Sequence, residues 1–113
     1  MSRRLERVNV LLRNNISRII SSELSDPRLG GVHTVTSVDT SPDLSHAHVY
    51  VSVLGDDDNK TQTIEVLRSA AGVIRRGLRS TDLRRIPQLS FDIDDSIERG
   101  DEILRLLNEA IDS

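Results

Sequence analysis

Fourteen of the fifteen basic residues in this 113-residue chain are arginines, Lys60 being the exception, and most of them fall into two groups. Arg3, Arg4, Arg7, Arg13 and Arg18 stand in the first twenty residues against Glu6 alone. Arg68, Arg75, Arg76, Arg79, Arg84 and Arg85 stand between positions 68 and 85 against Asp82 alone. A guanidinium is planar, permanently charged and forked, so it matches two phosphate oxygens at once and also stacks on flat rings. Binding of a polyanion is the chemistry this implies. The net charge of −3 does not oppose it, because eight acids and only two arginines lie from Asp92 onward. A polyanion meets one surface and not the average.

Other chemistries have less behind them. No cysteine is present, which removes disulfides, thiolate metal sites and cysteine nucleophiles. There is no G-x-S-x-G motif for a serine nucleophile. Gly72 and Gly77 have the glycine spacing of a P-loop, but Leu78-Arg79 follows where Lys-Ser/Thr is required. His33, His46 and His48 could hold a metal only with a further ligand at matching depth, and a surface contact between His46 and Asp39 across a hairpin is the plainer expectation. Asp92, Asp94 and Asp95 lack the glycine turn and terminal Glu of a calcium loop. No catalytic residue, metal or cofactor is expected. With one Phe, one Tyr and no Trp, base stacking on many aromatic rings is not expected either.

The elements that must position these arginines can be read from periodicity. Residues 3–24 read as an amphipathic helix with Leu5, Val8, Leu12, Ile16, Ile19 and Ile20 on one stripe, Ser2 at its start and Asp26-Pro27 and Gly30-Gly31 past its end. At about 100° per residue, Arg3, Arg4, Arg7, Asn14 and Arg18 share an arc of about 100°. Val32–Asp39 and His46–Leu54 read as an antiparallel hairpin, with Ala47, Val49, Val51 and Val53 inward and His46, His48, Tyr50 and Ser52 outward. Residues 61–80 read as a second long helix that aligns Arg68, Arg75 and Arg79 in a column, with Arg76 about 80° round. Leu89, Phe91 and Ile93 mark a third strand, and Asp95 with Glu98 opens a last helix carrying Ile97, Ile103, Leu104, Leu106, Leu107 and Ile111. The order α-β-β-α-β-α over residues 1–113 predicts a single α+β domain, a three-stranded sheet with helices on one face. No apolar run reaches the roughly 20 residues of a membrane span, and the opening residues hold no secretory run; no membrane association, and a cytoplasmic monomer, are expected.

The set of local motifs resembles the ribosome-binding factor A family. It comprises Arg4-Leu5-Glu6-Arg7-Val8-Asn9, Asp26-Pro27-Arg28, His48-Val49-Tyr50-Val51-Ser52-Val53, Ala70-Ala71-Gly72, Arg84-Arg85-Ile86-Pro87-Gln88-Leu89-Ser90-Phe91, and Asp94, Ser96, Glu98 and Gly100 at alternate positions. The resemblance implies a type II KH-like domain whose two central helices meet at a kink, with Ala70-Ala71-Gly72 in place of the G-x-x-G loop of ordinary KH domains. Gly72 would then permit the bend. It also implies a protein without catalysis or cofactor that associates with the free small (30S) ribosomal subunit, acts in late assembly and 5′-end maturation of 16S rRNA, works beside other small-subunit assembly factors and is linked to cold adaptation. Arg3, Arg4, Arg7, Arg18, Arg68, Arg75, Arg76, Arg79, Arg84 and Arg85 are expected to form one RNA-binding surface. On this reading, replacing Arg75, Arg76 and Arg79 with Ala should weaken small-subunit association while leaving the thermal transition nearly unchanged. The alternative from another class is a homodimerisation or protein-interaction module that uses the same sheet without RNA.

Overall fold

A computed structural model describes residues 3–24, 27–29 and 32–94. The expected Ser2 cap, Asp26, the Gly30-Gly31 pair and the last helix with its Asp95–Glu98 box lie outside the described residues. Helix α1 spans Arg3–Glu23, and a 3-10 turn follows at Pro27–Leu29. Strands β1 (Val32–Thr40) and β2 (His46–Val53) form the hairpin. Helices α2 (Asp57–Ser69) and α3 (Ala71–Leu78) then lead to β3 (Gln88–Ile93). The sheet order is β1-β2-β3, antiparallel between the first two and parallel between the last two. Parallel pairing needs a crossover, and α2 with α3 supply it. This is the type II KH-like arrangement.

The hydrophobic core forms where the apolar stripes meet. Leu12, Ile16, Ile19 and Ile20 of α1, Ile64 and Leu67 of α2, and Ile74 and Leu78 of α3 are buried against Val49, Val51, Val53 and Phe91 of the sheet. On β2 the buried and open positions alternate as expected. On β1 they do not, since Val35 and Val38 are both buried although three residues apart. A register shift between Val35 and Ser37 accounts for it, because one extra residue in a strand returns the next side chain to the same face.

The single helix expected over 61–80 is two helices. The first begins earlier, at Asp57, where the Asp56 carboxylate accepts the N–H of Asn59 and Asp57 and Asp58 lie in the first turn. Anions there suit the unsatisfied N–H groups and the positive end of the helix dipole. The break falls at Ala70, which ends α2 and begins α3. Its φ of −88° and ψ of 0° lie in the bridge region open to any residue. Its N–H donates to Val66 and Leu67, and its carbonyl accepts from Ile74. Gly72 therefore lies inside α3 and not at the bend. A Cβ built on it would meet nothing within 4 Å. The glycine is not required for the kink.

Candidate nucleic-acid interface

Helix α3 turns Ile74 and Leu78 into the core, which leaves Arg76 and Arg79 exposed on its other side. The segment after it is tied at its start by Thr81, whose N–H and hydroxyl both donate to the carbonyl of Leu78. It is tied at its end by the N–H of Gln88, which donates to Ser45 in the β1–β2 turn. Arg84 and Arg85 are exposed between these ties. Pro87 beneath them is buried. Arg75 lies half-buried and bridges α3 to this segment, donating from Nε to Pro87 at 2.9 Å and from Nη2 to Ile86 at 3.0 Å.

The product is a hollow of about 390 Å³ lined by Gly72, Arg75, Arg76, Arg79, Arg84, Arg85 and Ile86. Among the described residues, five guanidinium groups and no carboxylate line it. Such a set repels itself, and an anion with several oxygens relieves the repulsion. The open space above Gly72 leaves α3 accessible to a close-fitting ligand at this point. One carboxylate does act on the rim from outside. Asp43, in the β1–β2 turn, feels the charge of Arg85, although its strongest partners are the hydroxyls of Ser45 and Ser41.

The other expected arginines are elsewhere. Arg3 and Arg7 line a separate hollow on α1 with Glu6, Val10, Leu11 and Asn14, which preserves the arc read from the helical phase. Arg4 is exposed, and Arg18 donates to the Asn15 side chain at 3.3 Å. Arg68 leaves the expected column because the chain breaks at Ala70. It donates to the carbonyl of Phe91 at 3.1 Å and to Asp92 at 3.3 Å, bordering a third hollow with Tyr50 and Lys60. The structure thus brings together five of the ten arginines in one hollow, Arg3 and Arg7 in another, and none of the rest with either.

Two histidines sit on the outer face of β2 as expected, with different partners. His46 contacts the Ser90 hydroxyl at 2.8 Å, and His48 pairs with Asp92 of β3 while stacking on Tyr50 with ring centroids 4.6 Å apart. Asp39 lies opposite His48 in the register, so the His46–Asp39 contact does not form. The parallel pairing of β3 to β2, invisible in local periodicity, supplies the acid instead. Among the described residues no group of three His, Cys, Asp or Glu could hold a metal ion. No helix among them is long and apolar enough to cross a membrane. Sequence reasoning also missed that the β1–β2 turn carrying Ser41, Asp43 and Ser45 comes close enough for the Arg85 charge to act on Asp43. Their Ser-x-Asp-x-Ser spacing marked a turn but gave no sign of what it would face.

The family model for ribosome-binding factor A matches residues 4–107. Ribosome-binding factor A of Acetivibrio thermocellus is 46% identical over 107 residues, 94% of this chain and 87% of the relative. That of Dictyoglomus thermophilum is 44% identical over 110 residues, 96% and 92% of the two chains. The crystal structure of ribosome-binding factor A from Thermus thermophilus superposes with a TM-score of 0.69 at 27% identity, covering 79% of this chain and 94% of that one. A homology model of the Thermus thermophilus factor, fitted into a cryo-EM map of a complex with the 30S subunit, superposes with a TM-score of 0.63 at 27% identity, covering 77% and 91%. With the matched motifs spread from α1 to beyond β3 and relatives this similar over nearly their whole length, the chain belongs to the ribosome-binding factor A family.

Proposed function

We propose that this protein binds the small (30S) ribosomal subunit and assists the late maturation of its 16S rRNA without catalysis or cofactor. The observation that carries the reading is the hollow in which Arg76, Arg79, Arg84 and Arg85 converge beside the open backbone at Gly72. The family supports it, as does the Thermus thermophilus relative fitted into a 30S complex. The arginines grip phosphates of a folded rRNA segment, with Arg3 and Arg7 on α1 as a second contact. Binding shifts an RNA equilibrium only as far as affinity differs between its conformers. A hollow whose arginines stand on two tied segments supplies such a difference where it accepts phosphates at one spacing and not at another. Action in the cytoplasm, on the 5′ end of the 16S rRNA and above all in the cold, where misfolded RNA is slow to rearrange, completes the reading.

The test replaces Arg76, Arg79, Arg84 and Arg85 together with Ala. All four are exposed, so the melting transition should move little. Co-sedimentation with isolated small subunits should weaken by about tenfold or more. Undiminished co-sedimentation by the folded variant refutes the assignment. In wild-type extract the protein should travel with free small subunits and not with complete ribosomes.

A further inference from the structure

The outer edge of β3 is held by arginines from both crossover helices. Gln88 donates its N–H to Ser45 and Asp94 donates its own to Val51, so even-numbered residues of the strand face β2. Pro87 and Phe91 therefore turn their carbonyls outward. Arg75 of α3 takes the first together with Ile86, and Arg68 of α2 takes the second. Arg75 differs in this from Arg76 and Arg79, which remain exposed. The carbonyls it binds belong to the two residues that directly follow Arg84 and Arg85. Five like charges around one hollow push the irregular segment away from α3, and this forked contact opposes them.

We infer that Arg75 is a positioning residue: it clamps the Ile86 and Pro87 carbonyls to α3, holds Arg84 and Arg85 opposite Arg76 and Arg79, and makes no phosphate contact of its own. This rests on the reading of the hollow as the RNA site.

A double-mutant cycle tests it, with affinity for isolated small subunits measured where every variant is folded. Arg75→Ala should weaken binding about tenfold, near the effect of losing a charged hydrogen bond. Added to Arg84→Ala with Arg85→Ala, it should weaken binding by less than about twofold, because its effect passes through those two side chains. Arg75→Lys keeps the charge but cannot span both carbonyls, so it should bind like Arg75→Ala; being the milder change, it also serves if Ala unfolds the domain. A full additional loss in the combined variant, or wild-type affinity in Arg75→Lys, overturns the inference and leaves the RNA site standing. Wild-type affinity after loss of Arg84 and Arg85 overturns both readings.

Discussion

At the tip of the β1–β2 turn Asp43 accepts hydrogen bonds from the hydroxyls of Ser45 and Ser41, each at 2.7 Å, and from the N–H of Ser45 at 3.1 Å. These bonds, led by the Ser45 hydroxyl and assisted by the charge of Arg85, stabilise the anion and lower its pKa from 3.8 to about 2. A carboxyl acidified by folding contributes stability that is complete above its unfolded value and lost as pH falls through its folded one. The contribution should therefore be intact above about pH 4 and fade toward pH 2. Thermal melts across this range should show the loss, and Asp43→Asn should remove that part of the pH dependence. An Asp43 carboxyl titrating near 4 by NMR would show that the serine cage does not form. Individual arginines also behave differently from one another. The expectation that replacing Arg75, Arg76 and Arg79 together leaves the thermal transition nearly unchanged treats them as equivalent, whereas Arg75 carries two tertiary hydrogen bonds.

Between α1 and α3, two glycines of one helix have opposite surroundings. A Cβ on Gly77 would lie 2.9 Å from Cδ1 of Ile19, a fully buried side chain, and 3.2 Å from the Glu23 carboxylate. A Cβ on Gly72 would meet nothing. Gly77→Val should lower stability by about 1–3 kcal/mol through overpacking. Gly72→Ala should raise it by up to about 1 kcal/mol, since alanine is the better helix former. Chemical denaturation of both variants measures this; a destabilising Gly72→Ala would return the glycine to a structural role. From sequence, Gly72 stands out as a costly glycine inside a helical pattern and as part of the Ala70-Ala71-Gly72 motif, whereas nothing gives Gly77 a structural role. Helical phase sets Gly77 about 60° from the buried Ile74 and Gly72 about 160° from it, but it does not say that Ile19 of α1 is what Gly77 meets. The inward valines of β2 and the stripe of α1 were legible because alternation and three-to-four spacing are properties of one element. The break falls at Ala70, inside the expected Ala70-Ala71-Gly72 motif but at its alanine and not at Gly72, because alanine is itself a good helix former and nothing in its type marks an end.

Across the described residues, seven of the arginines line two hollows, one on α3 and one on α1, and the parallel attachment of β3 sets the first. Local phase could group Arg75 with Arg79, but only the crossover brings Arg84 and Arg85 beside them. Each phosphate contact releases a counterion, so the salt dependence of binding counts contacts at about 0.9 per phosphate. Six exposed arginines, Arg3, Arg7, Arg76, Arg79, Arg84 and Arg85, predict that small-subunit affinity falls about a thousandfold between about 50 and 200 mM salt. Arg3→Ala with Arg7→Ala leaves four contacts and a fall of about a hundredfold. Replacing the four arginines of the α3 hollow leaves two contacts and a fall of about tenfold. Filter binding over a salt series separates these three slopes. A slope untouched by the α1 substitutions would confine the RNA contact to the α3 hollow, and slopes untouched by either set would place the attraction outside these arginines altogether.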